Sequence, residues 1–291
     1  MGETAYIRER IRSPVAGGWF YPEEPAAAAA ALQSYGLIRG IGGKAQAILA
    51  PHGAWDLSGA VAGRAFRAAA GRERKWPSVH SGGQHDQGVS RVVLLGTIHG
   101  DSEEGLFLSE SGAFETPFGY LPVDRKYSRA LASSSPFFEF NDIPHLREHS
   151  LEILLPLVKY CFPSTRIIPI LMGLSRPALI SGLAWALQTV FEPLLESTLF
   201  VVSCNLSNCP DEETARFHAE ECIRLLGEKD FPALITALKE KSISACGAPL
   251  AASLLGSGLM EGKTMKQVSG PLTKAGDEKG NTIYYGALAF I

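Results

Sequence analysis

The chain has 291 residues, 46% of them hydrophobic and 20% charged, the balance of a globular protein and not of a disordered, collagen-like or coiled-coil chain. Its 27 Lys and Arg against 30 Asp and Glu give a net charge of −3. No basic excess is left to neutralise a run of phosphates or to hold an anionic membrane surface, so neither nucleic acid nor membrane is expected as a partner.

From the N-terminus, residues 1–12 are charged and lack the apolar core of a signal peptide. The alanine run at 26–31 follows Glu23, Glu24 and Pro25 and reads as a helix start. Residues 45–50 predict a short buried strand, followed by a loop at 51–57 and a small-residue helix over 58–70, with Ser58 as N-cap and Gly71 just past its end. Residues 72–90 are polar, Gly-rich and without periodicity, which predicts a surface insertion. Its His80 and His85 have only Asp86 as a neighbouring ligand type and read as solvated loop residues.

The run RVVLL at 91–95 is the clearest buried strand, and it leads into Gly96 and His99. Shorter strands are expected at 106–109 and around 118–123, near the turn signals Pro117 and Gly119. Apolar residues at 151, 154, 155 and 158 predict a helix over 148–160, bent at Pro156. Strands at 166–171 and 199–203 bracket a helix at 177–190. That apolar helical stretch is shorter than the ~20 residues a membrane span needs. Helices at 211–226, 234–241 and 245–255 follow, with strands at 266–268 and 282–291 closing the chain. Strands separated by helices predict an α/β fold: a single compact domain over 1–291 with a central mixed, largely parallel sheet flanked by helices.

In such sheets ligands bind outside the carboxyl ends of the strands. His52, His99 and the segment CNLSNC at 204–209 all follow predicted strands. Two imidazoles with a thiolate or carboxylate suit zinc, iron or copper; the alternative is that each His caps its own loop by hydrogen bonding. Residues 145–149 read H-x-x-E-H. On one helix face His145 and His149 would grip zinc with Glu148 as general base, an inverted zinc-peptidase signature. Pro144 places His145 at a helix entry, however, and Glu148 is equally explained by the positive end of a helix dipole. Cys246 stands near a predicted helix N-terminus, which suits either a reactive thiol of a Cys-His hydrolase or a small buried hydrophobe. His218 reads as a surface or packing residue. The five cysteines (161, 204, 209, 222 and 246) are odd in number and irregularly spaced, which speaks against a secreted disulfide framework and for a reducing, cytoplasmic setting. No Walker A loop, G-x-G-x-x-G, G-x-S-x-G or C-x-x-C occurs, so no nucleotide cofactor is expected.

Taken together, ordered blocks along the chain resemble the Memo family, related in fold to the LigB-type class III extradiol dioxygenases. They are RSPVAGGWFYP at 12–22, APH at 50–52 with Ser58-Gly59 and Val61-Ala62, VVLLG at 92–96 leading to His99, and TPFG at 116–119 with Val123-Asp124. HLREHSLE at 145–152 with Leu155-Pro156, VVS at 201–203 and ACG at 245–247 complete the set. The resemblance implies a LigB-like domain, a non-haem dioxygenase homologue. It implies a metal, iron or copper before zinc, held by His52, His99 and Cys246, and oxidative chemistry. It also makes H-x-x-E-H-S a structural signature near the cleft, and suggests a pathway shared with AMMECR-type and radical-SAM proteins. Ligation requires the three ligand atoms to lie roughly 3–4 Å from one another.

The chain departs from the family pattern at three places. His-Ala-Gly is His52-Gly53-Ala54, Gly-Pro-x-His is Gly96-Thr97-Ile98-His99, and Ser-Ser-Asp-x-x-His is Ser203-Cys204-Asn205-Leu206-Ser207-Asn208. Asn205 and Asn208 thus replace the family's acid and histidine. Asparagine cannot shuttle a proton near neutral pH. The expectation is a metal-binding redox pocket with a degenerate proton-transfer site and weak or no dioxygenase activity. The alternative is a non-catalytic protein that binds a partner or small ligand.

Overall fold

The computed structural model describes residues 10–35, 45–70, 88–100 and 103–291. Eight strands form one sheet in the order Met265–Gln267, Leu288–Phe290, Ala47–Ala50, Thr198–Ser203, Arg91–Thr97, Arg166–Met172, Leu106–Leu108 and Phe138–Phe140. The four strands from Ala47–Ala50 to Arg166–Met172 run parallel, and antiparallel pairs join the flanking strands to them on both sides. Two three-stranded sheets, one around Ala113–Thr116 and one around Thr282–Tyr285, sit apart from it.

The central strands are buried on both faces, which is why they read as continuous apolar runs. Along Arg91–Thr97, Val93 and Leu95 join one core and Val92 and Leu94 the other. The first core is covered by helices Pro177–Phe191, Glu212–Glu228, Phe231–Glu240 and Ala248–Gly256, the second by Pro25–Ser34, Trp55–Ala70 and Leu155–Cys161. The expected α/β architecture with flanking helices is therefore present. Pro177–Ser197 is the one segment among the described residues apolar and long enough to cross a membrane. Leu179, Ile180, Leu183 and Leu187 on it are packed into the first core.

Several local expectations need correction. The helix after His52 is Trp55–Ala70, starting one turn early. Ser58 is inside it and not its cap; its hydroxyl donates back to the carbonyls of Gly53 and Ala54. The early start is anchored by Trp55, whose indole N–H donates to the Ile153 carbonyl at 3.1 Å. No continuous helix spans 148–160. A short helix, Asp142–Arg147, ends there, and Glu148 is extended at φ −106°, ψ 137°. A 3-10 turn at Glu152–Leu154 then leads into Leu155–Cys161, where Pro156 occupies the first turn and so starts a helix instead of bending one. The C-terminal segment is two strands, Thr282–Tyr285 and Leu288–Phe290. Of the insertion at 72–90, only residues 88–90 fall within the described part; Gly71, His80 and His85 lie outside it.

Candidate metal centre

Three neighbouring parallel strands end at one cleft. Ala47–Ala50 leads to His52, Arg91–Thr97 leads to His99, and Thr198–Ser203 between them leads to Cys204 and Asn205. Cys246 arrives from the opposite side, one residue before the Gly247 cap of helix Ala248–Gly256. The ligand atoms of His52, His99 and Cys246 all lie within 4.8 Å of one another, and Cys246 Sγ is 3.7 Å from His52 Nε2. The triangle is slightly wider than the 3–4 Å expected of a ligated set.

The ring orientations follow from the surrounding hydrogen bonds. Ser203 spends its single hydroxyl proton on the Ser150 carbonyl (2.6 Å), so it accepts from His52 Nδ1–H at 2.7 Å. That leaves the His52 Nε2 lone pair facing Cys246. His99 Nδ1 lies 3.2 Å from both oxygens of Glu148, which turns its Nε2 the same way. Glu148 also accepts main-chain N–H bonds from His99 (2.7 Å), His149 (2.8 Å) and Ser150 (2.8 Å).

Charge is unevenly distributed here. Burial works against the Glu148 anion, but the bonds from His99 outweigh it and hold the carboxyl at about 2. Burial likewise works against a charged His99, but contact with the Cys246 sulfur and Glu148 raises it to about 10. The Cys246 thiol is pushed well below its ordinary value, chiefly by a hydrogen bond from Cys204, with burial opposing and His52 assisting. Cys204 moves the other way, raised by burial and by the charge on Cys246. A thiolate facing two Nε2 atoms is a fitting donor set for a soft or borderline transition metal.

The H-x-x-E-H motif does not form a zinc-peptidase face. The helix stops at Arg147, so His145 and His149 point different ways. His145 is buried and donates from Nε2 to the Phe107 carbonyl at 3.1 Å, and burial lowers it to about 4. His149 instead lines the cleft, its ring 5.8 Å from that of His99 and 6.3 Å from that of His52. Glu148 is an anchor for His99 and not a free base.

Glu152, four residues on, organises the N-terminal block. It pairs with buried Arg12 and accepts bonds from Val15 N–H (3.0 Å), Ala16 N–H (2.7 Å) and the Tyr21 hydroxyl (2.9 Å). The turn so fixed lays the Phe20 ring 4.8 Å from His149.

Gly53, Asn205 and Asn208 stand differently toward the site. At Gly53 a Cβ would stand 2.5 Å from the Tyr285 hydroxyl, so the glycine sits where Tyr285 closes in. Tyr285 is itself raised by burial and by the nearby Cys246. Asn205 stays in the site: its Oδ1 accepts from His52 N–H (3.1 Å) and its own N–H donates to Cys246 Sγ (3.2 Å). Asn208 does not. It is exposed on strand Ser207–Cys209, and its amide donates to Asp277 at 3.4 Å.

His218 is not a plain surface residue, because its Nδ1 lies 3.5 Å from Cys209 Sγ and 3.2 Å from Ser244 Oγ. Beside His99 a pocket joins the apolar wall of Ile98, Ile143 and Pro144 to Arg147 and Glu148. Tyr285 was not singled out from the sequence, and Ser203 entered only as the end of the VVS block. His149 was marked by H-x-x-E-H; the zinc-peptidase face that motif could form is absent, while its second histidine stands beside His52 and His99.

A family model described as Memo-like protein matches residues 12–269. A protein of Thermotoga neapolitana described as a MEMO1 family protein is 27% identical over 285 residues, covering 94% of this chain and 96% of that relative. Relatives with the same description occur in Desulfurococcus amylolyticus, 27% identical with 81% and 83% covered, and in Nitrosopumilus maritimus, 25% identical with 97% and 100% covered.

Proposed function

This chain belongs to the Memo family, and on that premise we propose that it holds one redox-active transition-metal ion, iron or copper before zinc, through His52 Nε2, His99 Nε2 and Cys246 Sγ. The observation that carries this reading is the convergence of those three atoms within 4.8 Å while both Nδ1 atoms are already engaged by Ser203 and Glu148. When bound, such an ion supplies one-electron redox chemistry and Lewis acidity. The chain's own residues orient the ligands: Ser203 and Glu148 fix the imidazole tautomers, and the Asn205 amide N–H steadies the sulfur. A buried Nδ1 partner on each ring is what a metal-binding histidine requires, so the residues fit the group.

Dioxygenase-type turnover is proposed to be weak or absent. Asn208 supplies no proton and faces Asp277, and loss of a general base typically costs ~10²–10⁴-fold in rate. That same rewriting favours the second reading, a non-catalytic protein that binds a partner or small ligand, for which AMMECR-type and radical-SAM proteins are the candidates the family suggests. Five free thiols and a thiolate ligand suit a reducing, cytoplasmic compartment.

Elemental analysis of protein purified without a metal-affinity tag tests the metal reading. About one equivalent of iron or copper, lost in the His52→Ala, His99→Ala double variant, is expected. Substoichiometric iron, copper and zinc that the double variant leaves unchanged would overturn it. Robust oxidation of a catechol would overturn the claim of weak turnover.

A further inference from the structure

Cys204 and Cys246 come from distant parts of the chain and meet through a reciprocal main-chain arrangement. The N–H of Asn205, the residue after Cys204, donates to Cys246 Sγ at 3.2 Å. The N–H of Gly247, the residue after Cys246, donates to Cys204 Sγ at 3.2 Å. Cys246 N–H donates to the Asn205 carbonyl at 3.3 Å, which ties the two segments side by side. Both sulfurs also face one acceptor, the Asn205 carbonyl, at 3.2 Å from Cys204 Sγ and 3.7 Å from Cys246 Sγ. The approach is close enough that a Cβ on Gly247 would lie 2.5 Å from Cys204 Cβ and 2.6 Å from the Ser203 carbonyl. Only glycine at 247 allows this contact.

Their accessibilities differ. Cys204 is fully buried, whereas Cys246 is half-buried and opens to the cleft. A small oxidant therefore reaches Cys246 first and finds a second thiol directly behind it. That is the layout of an attacking thiol with a resolving partner. None of the proposed metal ligation uses Cys204.

We propose that Cys246 and Cys204 form a peroxide-reactive dithiol site, with a small hydroperoxide as its substrate. Cys246 sulfur attacks the peroxide O–O bond, forming an S–O bond; the distal oxygen leaves as the alcohol, or as water from hydrogen peroxide, carrying the thiol proton. Cys204 sulfur then attacks the Cys246 sulfenic acid, the S–O bond breaks, and water leaves as the disulfide forms. The two sulfurs together give up two electrons and the peroxide takes them. Because both sulfurs already lie against the same Asn205 main chain, the second step needs only side-chain rotation, and it outruns further oxidation of Cys246. This chemistry goes beyond the metal reading and stands without it. Its consequence for a bound ion, loss of the sulfur ligand on oxidation, rests on that reading.

The test uses the full chain, treated with a chelator, exposed to equimolar hydrogen peroxide and analysed by thiol titration and disulfide mapping. The expected result is loss of two of the five thiols, a Cys204–Cys246 link, and full recovery with dithiothreitol. Fragmentation must separate Cys204 from Cys209, which shares its tryptic peptide. Given a second equivalent of peroxide, Cys204→Ala and Cys204→Ser should instead carry Cys246 to sulfinic acid, which dithiothreitol does not reverse, while the unaltered chain stops at the disulfide. Sulfinic acid at Cys246 in the unaltered chain, a bridge to Cys209 or Cys222, or an unmodified Cys246 would each overturn the proposal. Metal content measured separately on the untreated protein keeps a failure of the metal reading distinct from a failure here.

Discussion

The imidazole side of the cleft and its sulfur side are built on different principles. His52 and His99 are held by side chains that are themselves held: Ser203 donates to the Ser150 carbonyl, and Glu148 accepts three main-chain N–H bonds. Cys246 is held by the main chain, through the Asn205 N–H and the Asn205 carbonyl. A change of residue on the first side leaves a buried polar group without a partner, which costs about 1–3 kcal/mol, and more for a charged one. On the second side the main-chain contacts survive whatever side chain residue 205 carries. The three ligand atoms therefore converge with asparagine at position 205.

The sharpest way to break this contrast is at the charge beneath the imidazole side. Glu152→Ala leaves Arg12 buried without its carboxylate and frees the Val15 and Ala16 N–H groups. Breaking a buried pair from one end costs ~3–5 kcal/mol. Chemical denaturation should show a loss of that size, with the Phe20–His149 contact loosened. A loss under about 1 kcal/mol, the range of a surface ion pair, would mean the network is not what supports this side.

A second test uses pH. His145 titrates near 6.5 when unfolded and is lowered to about 4 by burial in the fold. The unfolded chain therefore binds the extra proton between those values. The contribution is intact above about pH 6.5, and stability falls as pH drops toward 4. A shift of that size corresponds to about 3 kcal/mol. His145→Gln keeps a donor for the Phe107 carbonyl and removes the titration, so its denaturation midpoint should fall less steeply over that window. Equal slopes for the two proteins would remove His145 from the acid response.

Smaller effects are expected at the ligand supports themselves. Glu148→Gln keeps the shape but weakens the hold on His99, and losing such a support typically costs 10–100-fold in metal affinity. Asn205→Ala keeps both main-chain contacts to Cys246 and loses only the Oδ1 bond to His52 N–H, a change of less than about tenfold. Competition against a chromophoric chelator measures both. If Asn205→Ala proved the more damaging, the His52 main chain and not Glu148 would be the chief support of the imidazole side.

Much of this was legible in the sequence. The buried runs at the strands before His52 and His99, and the helical spacing over 177–190 and 211–226, survive nearly unchanged because both cores enforce them. His52 and His99 were already marked by their places after predicted strands, and the family resemblance joined Cys246 to them. The segment 148–160 was misread because apolar spacing cannot register that Glu148 turns its carboxylate onto three main-chain N–H groups, which requires extended backbone at that residue. Ser203 and Tyr285 left no local signal; each matters only through a neighbour brought close by the sheet. Cys204 entered only as part of a polar strand-end segment, and nothing in the sequence pointed to Cys246 as its neighbour.

The finest distinction concerns residue 208. If the missing histidine alone separated this chain from an active dioxygenase, Asn208→His would restore about 10²–10⁴-fold in rate, the usual worth of a general base. The structure argues for far less. Residue 208 is exposed on a strand paired with Thr282–Tyr285, and its side chain turns to Asp277, whose carboxyl is already held ionised, chiefly by the Asn281 N–H. An imidazole placed there meets that carboxylate before it meets the cleft. Catechol oxidation by metal-loaded Asn208→His should rise no more than a few-fold over the unaltered protein. A rise of two orders of magnitude would show that the sulfur side had lost only a side chain and not the geometry for proton transfer.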